Sequence, residues 1–537
     1  MKIAIDVQGC QSLGSRERGI GRYSLSLIKS LLKNYPDFEY ILFANPSLFD
    51  LRSIFADELA STEINVNYFQ WFAPGPFNDH YLGDNSSYFN AIQLRSYALE
   101  KLNVDILLIT SFFEGFTDNC VINFDQSYNL PPITSIFYDI IPLLNKDKYL
   151  DTNPDFERFY LKQIDYLKTI NSVLCISESA AREAKSIFNS SSPNVFNISS
   201  GCDQSIFNKE SELSSQISFD IASLGKFILY SGAGDPRKNL VNLVRAYASL
   251  PPKYIVKHKL VLAGKLIQPE IDTILEEMSS LDLPVDYVVF LGFVSDDELV
   301  SLYRKCYLFI FPSLHEGFGL PVLEAMNCGA PVIASNLTSM PELIVNNDFL
   351  FDPYNVKDIA SMIYKSLTNN DFYQSIRLNS KERKKYFSWN FTSKKTIESL
   401  GKIIDRKLIS SKKDDYDFNT LINIKYNILI NNLVNSPLIK VKNNSNLYYL
   451  KLFSSAISII NKQSKKIQFF RKVRKEKQFT WRIEGPFDTS YSLAILNRNY
   501  ALAMHDEGQN VCLHSAEGLG DYEPDSIFLE RNKIIKN

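Results

Sequence analysis

Residues 308–335, LFIFPSLHEGFGLPVLEAMNCGAPVIAS, hold the pattern that decides the fold of this chain. An apolar run ends at Pro312, a glycine-rich loop follows, and Pro321 opens a helical pattern that stops at Gly329. Proline suits the first turn of a helix because its missing amide has no partner there, and glycine is frequent just past a helix end. A second apolar run closes the stretch, which therefore predicts a strand, a helix and a parallel strand.

The same alternation of apolar runs and helical patterns extends through most of the chain before residue 406. Continuous apolar strands with helical crossovers are typical of parallel sheets covered on both faces. The sequence therefore predicts an α/β protein with two doubly wound, Rossmann-like domains, residues 1–205 and 206–405, facing a cleft that is the default ligand site. The predicted strands are residues 2–7, 40–44, 104–110, 133–139 and 172–176, then 226–231, 259–264, 287–292, 308–312 and 331–335.

Residues 406–478 are predicted to form a basic, partly helical linker. Residues 440–478 contain eleven Lys or Arg and one acid, and the apolar positions Phe453, Ala456, Ile457 and Ile460 repeat at helical spacing. Two interpretations stay open: a solvated linker helix, or peripheral contact with an anionic membrane surface or a lipid-linked acceptor.

Residues 479–537 read as the start of a further α/β unit. Strands are predicted at 479–484 and 511–514 with a helix at 491–507 between them, which repeats the layout of residues 2–44. Because so short a segment cannot complete a doubly wound domain, we expect it to be truncated or to pair with another polypeptide.

Composition narrows the functional class. With 45% hydrophobic and 22% charged residues and a net charge of -2, the chain gives no reason to expect nucleic acid as a partner. Its seven cysteines are scattered and show no zinc-ligand spacing, which predicts reduced thiols. The first residues do not resemble a signal peptide and no run of 18 apolar residues exists, so we expect a cytoplasmic protein. Peripheral contact with the inner face of the membrane belongs to the second of the two interpretations of the linker.

Two carboxylates, Glu316 and Glu324, flank the start of the predicted helix, eight positions apart. Glycines allow close approach of a ligand, and free amides at a helix start bind a diphosphate by geometry and dipole together. The two carboxylates can then accept hydrogen bonds from sugar hydroxyls. The donor-binding backbone is predicted to be that of Gly317, Phe318, Gly319 and Leu320.

A second anion site is predicted in residues 230–240, YSGAGDPRKNL. A strand leads into a turn at Gly232, and Arg237 and Lys238 stand where a helix begins. Two cations there add to the positive end of the helix, which is unfavourable unless an anion is bound.

Together these motifs resemble the E-x7-E signature of retaining glycosyltransferases of family four, the glycosyl transferases group 1, which have the GT-B fold. The resemblance implies that Glu316 contacts the transferred hexose, that Glu324 holds the ribose hydroxyls of the nucleotide, and that Lys238 bridges the diphosphate. One departure concerns Ala233, where relatives often carry an arginine. Arg237 is the nearest substitute, expected to assist Lys238 or to cap the loop.

The first domain supplies weaker motifs. Gly19, Gly21 and Arg22 lie in a loop that resembles the glycine-rich loop of the family, facing donor and acceptor, although a plain tight turn explains the pattern too. Glu114 follows a strand and either lines the acceptor side or belongs to a structural turn. Asp139 is expected to position the sugar. Many relatives have a histidine where Tyr138 stands; this tyrosine can donate a hydrogen bond but cannot shuttle a proton near neutrality.

The resemblance therefore implies transfer of a hexose, with mannose and GDP-mannose favoured, to a saccharide or lipid-linked acceptor with retention of configuration. Similar bacterial mannosyltransferases serve surface polysaccharide (O-antigen-like, lipopolysaccharide) biosynthesis. A sugar-nucleotide epimerase of the same fold and a non-catalytic sugar-nucleotide-binding subunit remain alternatives. No cofactor and no metal are expected, because the one Asp-x-Asp triplet, residues 415–417, lies in the predicted linker.

Overall fold

The computed structural model describes residues 1–73, 77, 86–188, 193–210, 219–410, 457–459, 461–463, 480–484 and 510–514. Within these ranges the chain forms two parallel sheets of seven and six strands and a separate pair of strands. The predicted fold class, two doubly wound domains facing a cleft, is confirmed.

The first sheet has the strand order β3-β2-β1-β4-β5-β6-β7, with every pairing parallel. Its central strands are wholly buried, as expected of apolar strands covered by helices on both faces. The strands are β1 Lys2–Asp6, β2 Glu39–Ala44, β3 Val66–Gln70, β4 Ile106–Ile109, β5 Ile133–Phe137, β6 Ser172–Cys175 and β7 Asn194–Asn197. The helices are α1 Gln8–Gln11, α2 Gly19–Asn34, α3 Ala56–Ala60, α4 Ser86–Leu102, α5 Ile141–Leu144, α6 Lys146–Tyr149, α7 Pro154–Leu167 and α8 Glu178–Ile187.

The second sheet has the order β10-β9-β8-β11-β12-β13, again with every pairing parallel. Its strands are β8 Lys226–Ser231, β9 His258–Ala263, β10 Val288–Gly292, β11 Leu308–Phe311, β12 Val332–Ser335 and β13 Leu350–Phe351. Its helices are α9 Leu240–Ala248, α10 Pro252–Ile255, α11 Gln268–Ser280, α12 Asp296–Lys305, α13 Leu320–Asn327, α14 Met340–Ile344, α15 Val356–Thr368, α16 Asn370–Arg383 and α17 Trp389–Ser410.

The last long helix, α17, returns to the first domain and packs on α2. The rings of Tyr23 and Trp389 lie 5.0 Å apart, and Asn34 Nδ2 donates to Asn390 Oδ1 over 3.0 Å. A side chain on Gly201 would place its Cβ 2.4 Å from the Trp389 amide nitrogen. The backbone segments at Gly201 and Trp389 are therefore in contact. The predicted second domain, residues 206–405, thus includes a helix that packs against the first sheet's helices.

The predicted third α/β segment is described only at its two strands, β14 Thr480–Glu484 and β15 Asn510–His514. They pair in parallel with Thr480 opposite Asn510, as β1 and β2 do with Lys2 opposite Glu39. Its predicted helix at 491–507 lies outside the described residues, as does most of the linker. No helix within the described ranges combines the length and apolarity needed to span a bilayer.

Candidate active site

Both sheets reverse their strand order beside their first strand, between β1 and β4 and between β8 and β11. In open parallel sheets, ligands bind at the carboxyl ends of the strands at such a switch point. The loops after β8 and β11 carry the predicted donor motifs, and those after β1, β4 and β5 face them from the first domain. The fold therefore brings the two sets of motifs into one cleft.

The centre of this cleft is a buried carboxylate between two cations. Lys238 Nζ donates to Glu316 Oε1 over 2.6 Å, and Arg237 Nη1 lies 3.1 Å from the same oxygen. Burial alone would raise the pKa of Glu316, but the two cations outweigh it and lower this pKa. Burial lowers the pKa of Lys238, an effect that Glu316 opposes. Glu316 is thus held ionised, while Arg237 is shared between Glu316 and Asp235, whose Oδ1 lies 3.6 Å from Arg237 Nε.

The loop after β8 positions these cations through a short 3-10 turn, Pro236–Lys238. Asp235 caps the turn by accepting from the Arg237 amide over 2.9 Å, and Asn239 follows with a left-handed backbone, φ 62°. Gly232 has φ 148°, and a side chain there would meet the Tyr230 hydroxyl at 2.6 Å. The predicted anion loop is therefore a rigid turn that directs Lys238 into the cleft.

The loop after β11 reaches the first domain at Gly317. Ser177 Oγ donates to Gly317 O over 2.6 Å, and a Cβ on Gly317 would lie 2.5 Å from Tyr138 O and 3.2 Å from Asp139 Oδ2. Only glycine fits here while the two domains stay in this arrangement.

Helix α13 begins with Gly319 as its N-cap, at φ 102°, and no side chain caps it. The Val322 amide donates to Gly319 O over 3.0 Å within the first turn. Phe318 gives its side chain to the core, where it packs against Phe387 with a ring distance of 5.6 Å. Its predicted contribution to donor binding can therefore come only from the backbone. Leu320 is partly exposed beside it.

Glu324 interrupts an otherwise buried stretch of α13 and is partly exposed. Tyr303, from α12, donates its hydroxyl to Glu324 Oε2 over 3.2 Å. Burial raises the pKa of this carboxyl to about 7, although Arg22 of the first domain and the Tyr303 hydroxyl both act to lower it. The predicted ribose-binding carboxylate is thus poised to change charge near neutral pH.

Asp139 and Tyr138 form the first-domain wall opposite Gly317. Burial raises the pKa of Asp139, while the Ile141 amide and Arg237 counteract the rise. The Tyr138 hydroxyl points back into its own domain, 2.8 Å from Ser24 Oγ and 3.0 Å from Thr110 O. The peptide carbonyl of Tyr138 therefore faces the cleft. The hydroxyl, which was predicted to donate a hydrogen bond there, does not.

The remaining first-domain candidates shape the loop before α2. A Cβ on Gly21 would lie 2.4 Å from Arg16 O, whereas one on Gly19 would meet nothing within 4 Å. Glu114 is buried and accepts from Ser15 Oγ over 2.6 Å and Ser111 Oγ over 2.7 Å. These contacts favour a structural turn over an acceptor-side role for Glu114, because both hydroxyls that donate to its carboxylate come from loops of the first domain. Arg22 is exposed and faces the second domain.

Several contacts that the sequence did not reveal join the domains around this site. His315 Nε2 lies 2.8 Å from Glu183 Oε1 of α8, and Arg22 forms a 2.8 Å ion pair with Asp296 of α12. The Tyr149 hydroxyl donates to Asp235 Oδ1 over 2.7 Å. Each pair joins residues distant in sequence, so spacing could not have indicated them. Together they join the two domains across the cleft.

Within the described residues there is no group of three or more His, Cys, Asp or Glu side chains arranged to hold a metal ion. The triplet at 415–417 lies outside those residues. Six of the seven cysteines fall among residues with described side chains, and all six are free and buried.

The comparisons with known proteins agree with this fold. Residues 216–383, which lie in the second domain, match the family model described as glycosyl transferases group 1. The two domains together have the GT-B architecture. Sucrose-phosphate synthase from Thermosynechococcus elongatus superposes with a TM-score of 0.55 at 18% identity over 76% of this chain and all of that one. The Anabaena protein Alr3699/HepE, solved in complex with UDP and glucose, has a TM-score of 0.53 at 18% identity over 75% of this chain and all of that one.

Among curated proteins, the chain is similar to the serotype-specific mannosyltransferase WbdA of Escherichia coli, with 33% identity over 412 residues. This alignment covers 75% of the chain and 48% of that relative. The O-antigen chain mannosyltransferase B of Escherichia coli is 35% identical over 173 residues, which are 32% of this chain and 45% of that protein. The chain thus spans about half the length of the curated relatives it matches.

Proposed function

We propose that this chain is a retaining hexosyltransferase that moves mannose from GDP-mannose to a saccharide or lipid-linked acceptor in surface polysaccharide assembly. One observation carries the proposal. A buried glutamate, Glu316, contacts both Lys238 and Arg237 at the switch point of the second sheet, and the next residue, Gly317, lies against Asp139 of the first domain. The similarity to mannosyltransferases WbdA and B supports mannose as the hexose.

The cationic pair suits a departing diphosphate. When the bond between sugar and phosphate breaks, negative charge grows on the leaving group, and preorganised cations and amides stabilise it more than water does. Lys238 and Arg237 both contact Glu316, and Arg237 also pairs with Asp235. We expect phosphate oxygens to compete with these carboxylates for the two cations. The uncapped start of α13 adds its dipole to the same region. In this proposal a metal ion has no role in stabilising the leaving group.

The hexose would lie between Glu316 and Asp139, which can accept hydrogen bonds from its hydroxyls. The acceptor hydroxyl would approach from the face that the diphosphate leaves, form the new bond at the anomeric carbon, and pass its proton to the departing phosphate oxygen. Tyr138 is not needed as a base, because its hydroxyl is engaged with Ser24 and Thr110. Transfer of this kind retains the configuration at the anomeric carbon.

The test is transfer from a panel of nucleoside-diphosphate sugars to mannose-containing acceptors, with and without EDTA, with the anomeric configuration of the product read by NMR. We expect mannose transfer with retention from GDP-mannose, insensitive to EDTA, and at least a tenfold lower rate for Glu316→Gln, the effect of about 1.4 kcal/mol. Inversion would contradict the mechanism. Isomerisation without transfer would show that the protein is an epimerase instead.

We infer that the enzyme works in the cytoplasm, at the inner face of the membrane when residues 440–478 engage it. The six free buried thiols support a reducing compartment, and the eleven basic residues of this segment support attraction to anionic lipid. Flotation with vesicles that contain phosphatidylglycerol should carry the chain upward. Equal flotation with vesicles of phosphatidylcholine alone would contradict the electrostatic part.

A further inference from the structure

A tyrosine outside the family motifs contacts the predicted ribose-binding carboxylate. Tyr303 lies on α12 with a side chain that is fully buried, and its hydroxyl donates to Glu324 Oε2 over 3.2 Å. Among the described residues this is the one side-chain hydrogen bond to that carboxylate. Burial raises the pKa of Tyr303 well above its ordinary value, so the phenol keeps its proton and acts as a donor.

The tyrosine hydroxyl is itself held from the opposite side. Ser231, the last residue of β8, places its Oγ 2.7 Å from the Tyr303 hydroxyl oxygen. Since the Tyr303 hydroxyl donates its hydrogen bond to Glu324, the Ser231 hydroxyl donates to the Tyr303 oxygen. The tyrosine ring is fixed against Phe309, with the ring centroids 5.4 Å apart and the planes at 78°. Neither Ser231 nor Tyr303 can rotate away without losing buried contacts. The series of hydrogen bonds from Ser231 through Tyr303 to Glu324 is therefore geometrically fixed.

We propose that Tyr303, supported by Ser231, is a positioning residue for the nucleotide half of the donor. By holding one carboxylate oxygen of Glu324, it directs the other toward the cleft, where a pair of neighbouring hydroxyls on a furanose ring can donate to it. The inference rests on the proposed function, because it assumes that a nucleoside diphosphate occupies this site.

The charge environment of Glu324 gives the inference a pH signature. The ionisable groups that face this carboxyl are Tyr303, Arg22, Asp296, Cys202 and Cys328. Hydrogen bonding from Tyr303 favours the ionised form, whereas Asp296 and burial oppose it. Removing the tyrosine hydroxyl should therefore raise the pKa of Glu324 further and leave more of it protonated at neutral pH, where it is a poorer acceptor.

The experiment compares calorimetric affinities for GDP and for 2′,3′-dideoxy-GDP, with the UDP pair run in parallel. For Tyr303→Phe we expect about a tenfold loss of GDP affinity, the size of one hydrogen bond to a charged group, and no loss for the dideoxy nucleotide. The matched control is Tyr247→Phe, a buried tyrosine of the same domain whose hydroxyl donates to His258 O over 2.8 Å. It should leave both affinities unchanged.

The ratio of the dideoxy to the ribose dissociation constant isolates the hydroxyl contribution, because titration of the phosphates affects both ligands equally. In the wild type this ratio should rise as pH increases through about 7, and in Tyr303→Phe the rise should move to higher pH. Ser231→Ala, which keeps the Tyr303 hydroxyl, should show the same trend more weakly and serves if Tyr303→Phe does not fold.

The outcomes separate the two levels of the argument. If the wild type binds GDP or UDP but Tyr303→Phe weakens ribose and dideoxy nucleotides alike, the positioning role is wrong while the proposed function stands. If the folded wild type binds neither nucleotide, the proposed function fails and the positioning role fails with it.

Discussion

The substitution Lys238→Ala removes the ammonium group that contacts the buried carboxylate at the centre of the cleft. Lys238 Nζ is 2.6 Å from Glu316 Oε1, and the two side chains are only 8% and 10% exposed. Breaking a buried ion pair by removing one partner costs about 3–5 kcal/mol when the other charge is left alone. Here Arg237 stays 3.1 Å from the same oxygen, so we expect a smaller loss of unfolding free energy, about 2 kcal/mol at neutral pH.

The loss should depend on pH with a sign that the structure fixes. In the wild type the pKa of Glu316 is lowered from 4.5. A carboxyl whose pKa is lowered by folding stabilises the protein at pH values above its unfolded-state pKa. This stability disappears as pH falls through the folded-state pKa. Without Lys238 only Arg237 and the Ser313 hydroxyl still oppose the effect of burial, so the pKa of Glu316 rises and acidification neutralises it at a higher pH than in the wild type. The stability difference between wild type and variant should therefore shrink as pH falls toward and below 4.5.

Catalysis should suffer as well as stability. A hydrogen bond to a charged group contributes about 1.5–3 kcal/mol, so kcat/KM for the donor should fall about 10- to 150-fold. Urea denaturation at two pH values and steady-state kinetics measure both effects. Lys385→Ala is the control, since Lys385 pairs with Glu382 at the surface, where both are at least half exposed. A Lys238→Ala variant with unchanged turnover and the same pH-independent stability as Lys385→Ala would refute the reasoning.

Three further perturbations probe other parts of the account. His315 should stabilise the protein more at about pH 6 than at about pH 9. Burial lowers the pKa of His315, but its carboxylate partner on α8 outweighs burial and raises this pKa, and the stability is lost as pH rises through the folded-state pKa. Denaturation of His315→Asn and wild type at both pH values checks this, and a stability difference that grows with pH would contradict it. Gly317→Ala should cut kcat/KM about 100-fold by displacing the domains, since its Cβ would lie 2.5 Å from Tyr138 O. Steady-state kinetics and a radius of gyration from small-angle scattering test this. An unchanged radius with full activity would count against this contact between the domains. Arg95→Met should destabilise the first domain by about 3–5 kcal/mol, because Arg95 and Asp6 form an ion pair with no exposure of either side chain. Urea denaturation measures the loss of unfolding free energy. A loss below about 1 kcal/mol would contradict a stabilising role of this buried ion pair.

Much of the fold follows from local sequence signals. Strand β8 has the predicted bounds, and the capping box that joins Ser295 and Glu298 at the start of α12 forms as its spacing indicates. The strands β3, β7 and β13 were not predicted, because they are edge or near-edge strands without a continuous apolar run. Local patterns therefore predicted the buried elements well and the sheet margins poorly.

The site residues that belong to sequence motifs were predictable. The contacts between residues distant in sequence were not. Lys238 and Glu316 were identified separately, but their contact spans 78 residues and depends on the neighbouring positions of β8 and β11. Tyr303 reads in sequence as an ordinary residue of an amphipathic helix, and only the fold places it under Glu324. Phe318 belongs to the donor motif, yet the turn around Gly319 sends its side chain into the core.

The central claim is that this cleft grips a pyrophosphate, and nucleotide affinities test it most directly. Calorimetry with GDP and GMP, and with UDP and UMP, measures what the second phosphate adds. We expect the preferred diphosphate to bind at least tenfold more tightly than its monophosphate, about 1.4 kcal/mol, and Lys238→Ala to remove most of that difference. Equal affinity for mono- and diphosphates in the wild type would contradict it.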